Sequence, residues 1–242
     1  NYFTELAYKR GQVIEARDIV FTHQHPAFIK DIAFDETYQK QNAPERYAYG
    51  SAVYQRLSQG NDWSTVPGFT NYWLLYQSIA ANVKDGDTIV EVGVWMGRSI
   101  IFLAQELQRL GKTKCKLYAV DTFVGEKNQP AHTATIEEHG GSLRDVFVEN
   151  ITRCGVADMI TIIENDSAEA AACFAPKSVD FCFVDAAHDY ESVKRDVAAW
   201  LPKVRGTIAG HDAQHEPVLR AVRELIPGAI RIGPCWIQGN IQ

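Results

Sequence analysis

The sequence predicts an α/β fold built on a doubly wound, mostly parallel sheet, and three observations carry that prediction. From about residue 69, short apolar runs alternate with helical patterns. The runs are rich in Val, Ile and Phe, as in strands covered on both faces. The first run leads into a glycine-containing turn that opens a helix. Strand–helix alternation implies right-handed crossovers and helices on both sides of one sheet.

The elements follow in order. Thr70 to Ala81 reads as a helix, and Asp85-Gly86-Asp87 as a turn before the first strand, Thr88 to Val92. Gly97 to Leu110 is a helix whose Ile100, Leu103, Ala104, Leu107 and Leu110 share one apolar face. Lys116 to Asp121 is the second strand. A long polar loop, Thr122 to Gly141, precedes a helix that ends near Cys154. Met159 to Glu164 is the third strand, with a short helix from Ser167. Val179 to Asp185 is the fourth, followed by a helix from Asp189 to Leu201. Gly206 to Gly210 is the fifth strand, and Glu216 to Ile226 the last helix. Two short strands, near Ala229 to Ile232 and Cys235 to Gln238, turn at Gly233-Pro234. The expected sheet has seven strands, the last antiparallel.

Residues 1–68 differ in texture. They are aromatic, polar and weakly periodic, and hold Pro26, Pro44 and Pro67. They read either as a lid, with Tyr47, Tyr49, Phe69 and Trp73 walling an acceptor pocket, or as a dimer contact. Residues 69–242 form the main domain.

Composition narrows the function classes. The chain has 242 residues, enough for one large domain without metal or disulfide support. Its net charge of −6, without basic clusters, disfavours nucleic acid as a partner. No uncharged apolar run is long enough to span a bilayer, and the charged start does not read as a signal peptide. Cys115, Cys154, Cys173, Cys182 and Cys235 show no CxxC spacing, so most of them read as buried small hydrophobes in a reducing, cytoplasmic setting.

In an open parallel sheet, ligands bind outside the carboxyl ends of the strands. The residues just after each strand therefore carry the functional reading. Glu91 to Ser99 supplies Gly93 and Gly97 at a helix N-terminus, where free N–H groups favour an anion. A nicotinamide site wants GxGxxG here. Trp95 and Arg98 stand where its second and third glycines belong, and the indole obstructs a pyrophosphate. Asp121 ends the second strand, where an acid accepts both hydroxyls of a ribose or else caps a helix. Asp166 and Ser167 follow the third strand, where an adenine edge would lie, and Ser167 reads equally well as a helix N-cap. Asp185, His188, His211 and Asp212 gather two acids and two histidines at neighbouring strand ends, with Asp189 beside them as a candidate N-cap. His23, His25, His132, His139 and His215 receive no role.

This combination of E-x-G-x-x-x-G-x-S, an acid ending strand two and Asp-Ser after strand three resembles class I S-adenosylmethionine-dependent methyltransferases, with their Rossmann-like sheet. The resemblance implies that Glu91, Gly93, Trp95 and Ser99 surround the methionine part, Asp121 the ribose, and Asp166 and Ser167 the adenine. Asp185-Ala-Ala-His188-Asp189-Tyr190 and Gly210-His211-Asp212 resemble the metal-dependent O-methyltransferases of the catechol type, and more closely those acting on small molecules and sugars. On that resemblance Asp185, His211 and Asp212 hold a divalent cation. His211 departs from the pattern, because magnesium prefers oxygen while imidazole suits zinc, iron or nickel. His188 matches the position of the catalytic lysine, which makes it the expected general base with a pKa near neutrality; Asp189 is the alternative. The expected reaction is methyl transfer to a hydroxyl of a sugar or other small polyhydroxylated or phenolic acceptor, with a homo-oligomer as a candidate assembly. The rival readings are an NAD-dependent oxidoreductase and a non-catalytic binding domain.

Overall fold

The computed structural model describes residues 59–126 and 130–239, together with positions 44, 48, 50–52 and 55. The chain divides into two compact units, Asn1–Asn61 and Asp62–Gln242, and the second holds every element named below. It starts at Asp62, ahead of the residue 69 read from sequence. Asp62 accepts a hydrogen bond from Ser64 N and so caps a 3-10 turn, Trp63–Thr65. Tyr47 and Tyr49, with the lid they were expected to form, lie outside the described residues.

The strands are β1 (Thr88–Val92), β2 (Lys116–Asp121), β3 (Ile160–Glu164), β4 (Val179–Val184), β5 (Val204–Gly210), β6 (Ile230–Ile232) and β7 (Cys235–Gln238). They form one seven-stranded sheet in the order β3-β2-β1-β4-β5-β7-β6. All neighbouring pairs are parallel except those of β7, which is antiparallel to both β5 and β6. The doubly wound, mostly parallel sheet expected from sequence is therefore observed.

The helices are α1 (Trp73–Asn82), α2 (Arg98–Arg109), α3 (Pro130–Glu138), α4 (Arg144–Arg153), α5 (Ser167–Ala171), α6 (Tyr190–Trp200) and α7 (Glu216–Leu225). Alternation along each strand divides the core. Ile89, Leu117, Ala119, Phe181 and Phe183 pack beneath α1, α2 and α4. Val90, Val92, Val120, Cys182 and Ile208 pack beneath α5, α6 and α7. With both faces covered, every central strand must be apolar, which is why the runs read so clearly.

Two expectations need correction. Helix α1 begins at Trp73 rather than Thr70, because Tyr72 has non-helical backbone angles. The stretch Thr122 to Gly141 contains α3 rather than a plain loop. Pro130 sits at its first position, which suits a residue without an N–H, and among residues 132–138 only Ile136 is buried, too few to mark a period. Four of the five cysteines are buried and Cys173 is exposed, in keeping with the reading that most of them are buried. No helix among the described residues is long and apolar enough to cross a membrane.

Candidate active site

A cavity of about 720 Å³ opens along the carboxyl ends of β1, β2, β4 and β5. That is where an open parallel sheet reverses its winding, between β1 and β4. The backbone there is strained. Among the described residues four non-glycine residues have positive φ, and three of them, Trp95 (51°), Phe123 (57°) and Asp212 (58°), follow β1, β2 and β5. Each such conformation costs about 1–3 kcal/mol and persists where the surroundings enforce it, typically at functional sites.

The β1–α2 turn forms one wall. Gly93, Trp95 and Ser99 line the cavity. Gly93 has φ of 85°, and a Cβ there would fall 1.9 Å from the carbonyl oxygen of Asp185. The close approach that requires glycine is thus made by the neighbouring strand end, not by a ligand. Gly97, at φ of 95°, is the N-cap of α2. Glu91 does not line the cavity. Its place in β1, two residues from Ile89, turns it under α1 and α2, where it is 1% exposed. Tyr76 donates its hydroxyl to Glu91 Oε2 at 2.9 Å, and Ser99 Oγ donates to Oε1. Burial raises the Glu91 pKa to about 8, against the opposing pull of those two donors. Glu91 is protonated at neutral pH and props the turn from below.

Asp121 lines the cavity from the end of β2. Its Oδ2 accepts the N–H of Trp95 at 2.9 Å and its Oδ1 the N–H of Phe123 at 2.8 Å, so it also fixes both strained turns. Burial pushes its pKa up, and backbone donors resist that. Asp166, not Ser167, is the N-cap of α5, accepting from Ala168 N at 3.0 Å. It also pairs with Arg195 at 2.8 Å. Ser167 Oγ accepts from Trp200 Nε1 at 3.1 Å. Both residues line the cavity while holding these protein partners.

The opposite wall gathers the acids and histidines. Asp185 follows β4, and His211 and Asp212 follow β5. One ligand atom from each lies within 4.8 Å of the others. His211 Nδ1 stands 3.6 Å from Asp185 Oδ1 and 3.2 Å from Asp212 Oδ2. Its Nε2 lies 2.8 Å from Asn71 Oδ1. Tyr72 donates its hydroxyl to Asp185 Oδ2 at 3.0 Å. Burial raises the Asp185 pKa, opposed by the charge of His211. Asp212 is held well below the usual carboxylate range despite its burial, because His188 and His211 both hydrogen-bond to it.

His188 does not have the near-neutral pKa expected of it. Its Nε2 lies 2.8 Å from Asp212 Oδ2 and its Nδ1 3.0 Å from Glu126 Oε2. The Asp212 hydrogen bond, reinforced by Glu126 against the cost of burial, raises its pKa to about 9. The ring is an imidazolium at neutral pH, with both nitrogens donating. Asp189, the alternative base, is the N-cap of α6, accepting from Ser192 N at 3.0 Å at the cavity rim. Of the expected aromatic walls, Phe69 lines the cavity, whereas Trp73 packs away from it against Trp63 and Phe102. His132, left without a role by the sequence, lines the cavity and stacks on Trp95 at 4.5 Å between ring centroids. His215 occupies the N-cap position of α7 without a capping hydrogen bond from its side chain.

A sequence profile described as a methyltransferase domain matches residues 90–213, from within β1 to just past Asp212. The chain belongs to this methyltransferase family. Membership sets aside the nicotinamide oxidoreductase reading. The methyltransferase domain is also similar to solved structures. The O-methyltransferase NovP is 18% identical at a TM-score of 0.53, over 71% of this chain and 78% of that one. An S-adenosylmethionine-dependent O-methyltransferase from Thermotoga maritima is 23% identical at a TM-score of 0.47, over 68% of this chain; the match spans 54% of that protein's length. CalS11, a TDP-rhamnose 3′-O-methyltransferase of calicheamicin biosynthesis, is 18% identical at a TM-score of 0.46, over 84% of this chain and 90% of that one. At these identities the likeness is one of fold. No curated protein matches the sequence.

Proposed function

We propose that this methyltransferase domain transfers a methyl group from S-adenosylmethionine to a hydroxyl of a small polyhydroxylated or phenolic acceptor, assisted by a divalent cation. The observation that carries the reading is the division of one cavity into two chemically distinct walls. The Gly93–Trp95 turn and Asp121 offer a nucleoside site, and Asp185, His211 and Asp212 face it with a cation-binding donor set. The volume, about 720 Å³, lies within the roughly 300–1,000 Å³ of small-molecule sites.

The donor set fits a cation. Two carboxylates and one imidazole converge, and the imidazole's far nitrogen is already engaged by Asn71, as in protein metal sites. Such a mixed set accommodates zinc, iron, nickel or manganese as well as magnesium. A cation there supplies Lewis acidity that lowers the pKa of an acceptor hydroxyl. S-adenosylmethionine would supply the methyl carbon, which the acceptor oxygen attacks in line as the carbon–sulfur bond breaks and S-adenosylhomocysteine leaves.

The chain's own residues do the remainder. Asp121 holds the ribose hydroxyls and Trp95 walls the reacting centre from water. Asp185 and Asp212 orient the acceptor. His188 takes the acceptor proton at Nε2 once its own proton has left, so it works from the small neutral fraction available at pH 7.

Two measurements test the reading together. S-adenosylhomocysteine is expected to bind the isolated protein in isothermal titration. Chelation is expected to abolish methyl transfer while leaving that binding nearly intact. Full activity after exhaustive chelation, with no metal by elemental analysis, removes the cation from the mechanism. Absence of S-adenosylhomocysteine binding overturns the cofactor.

A further inference from the structure

Two adjacent residues outside the candidate cation set each grip one of its members. Asn71 and Tyr72 immediately precede α1, and each bridges to the carboxyl end of a central strand. Asn71 Oδ1 meets His211 Nε2 at 2.8 Å, and the Tyr72 hydroxyl meets Asp185 Oδ2 at 3.0 Å. The Tyr72 ring also packs on His211, with ring centroids 5.1 Å apart, and on Phe183 of β4 at 4.7 Å. Tyr72 is buried, which fixes its ring, whereas Asn71 is exposed.

We infer that Asn71 and Tyr72 are positioning residues for a divalent cation, acting through His211 and Asp185; this rests on the cation-assisted reading above. The reasoning is one of tautomer and aim. A histidine ligates a metal through one deprotonated nitrogen, and the hydrogen bond made by the other decides which nitrogen that is. Asn71 Oδ1 is an acceptor, so it keeps the proton on Nε2. That leaves Nδ1, the nitrogen that faces Asp185 and Asp212, to bind the ion.

Tyr72 performs the matching task on the carboxylate. It occupies Oδ2 of Asp185 and so turns Oδ1, the oxygen on the His211 side, toward the shared centre. Because the two residues are consecutive, a single short segment sets the orientation of ligands from two different strands. The exposed position of Asn71 matters for the test, since replacing its side chain disturbs no core packing.

The experiment is a titration of Mn²⁺ alone, followed by electron paramagnetic resonance of the free ion. It uses wild type, Asn71→Leu, Asn71→Asp and Tyr72→Phe. Loss of a partner behind a metal ligand typically weakens affinity by about 10–100-fold. Asn71→Leu and Tyr72→Phe are each expected to show a loss of that order. Asn71→Asp keeps an acceptor for Nε2 and is expected to restore binding. The melting temperature without metal and the S-adenosylhomocysteine affinity are expected to stay unchanged in Asn71→Leu, which ties the loss to the cation. Wild-type affinity in Asn71→Leu or in Tyr72→Phe removes that residue from the assignment. A loss in Asn71→Leu that Asn71→Asp does not restore overturns the acceptor role. A wild-type protein that binds S-adenosylhomocysteine but no Mn²⁺ overturns the inference together with the cation, and leaves the nucleoside site standing.

Discussion

Replacing Glu91 by Gln is expected to remove a pH dependence of folding that the buried acid creates. Glu91 has a folded pKa of about 8 against an ordinary value of 4.5. Between those values the unfolded chain releases a proton that the folded chain keeps. Stability is therefore fully present below about pH 4.5, falls as pH rises, and levels off above about pH 8. One pH unit within that window is worth about 1.4 kcal/mol, so between pH 5 and pH 7 the wild type is expected to lose about 2–3 kcal/mol relative to the variant. Gln is a close mimic of the protonated acid. Its carbonyl accepts from Ser99 and its amide donates toward Tyr76, so the prop beneath the β1–α2 turn survives. Urea unfolding of both proteins at pH 5, 6, 7 and 8 measures the difference. Parallel stability profiles for wild type and Glu91→Gln refute the argument, because they mean that Glu91 ionises freely in the fold.

Three further outcomes follow from the cavity. Asp121→Ala is expected to weaken S-adenosylhomocysteine by the loss of hydrogen bonds to a charged group, about 1.5–3 kcal/mol; equal affinities in isothermal titration remove Asp121 from the ribose. Gly93→Ala is expected to lower the melting temperature sharply even without ligand, since its Cβ would meet the Asp185 carbonyl at 1.9 Å; a wild-type melting curve contradicts that packing. His188→Ala is expected to lower kcat by about 10²–10⁴-fold with S-adenosylhomocysteine still bound. The wild-type rate should rise with pH as the imidazolium loses its proton. An unchanged kcat in His188→Ala, with Asp189→Ala folded but inactive, transfers the role to Asp189.

Most of the sheet was legible because its strands are continuous apolar runs with sharp polar ends. Thr88–Val92, Lys116–Asp121 and Cys235–Gln238 have the bounds read from sequence. Helix α3 was hidden because it buries almost nothing, and a helix without an apolar face leaves no period. Strand ends also marked the place of Asp185, His211 and Asp212. Their partners were illegible, since Tyr72 lies 113 residues from Asp185 and Asn71 140 residues from His211. The charge on His188 was illegible for the same reason, because Glu126 is 62 residues away. Glu91 is a different case. Alternation with Ile89 within β1 already placed it on the helix-covered face, and only the motif drew it toward the ligand.

The contact between Gly93 and the backbone of Asp185 has a consequence for engineering. The nucleoside wall and the cation wall share a seam only one hydrogen atom thick, where the β1 turn rests directly on the end of β4. A loop graft that imports a new metal-binding sequence after β4 must keep the path of the chain at 185 and 186, or else carry its own β1 turn along. Rerouting the chain after β4 and retuning the β1 turn are thus one design problem, to be varied together.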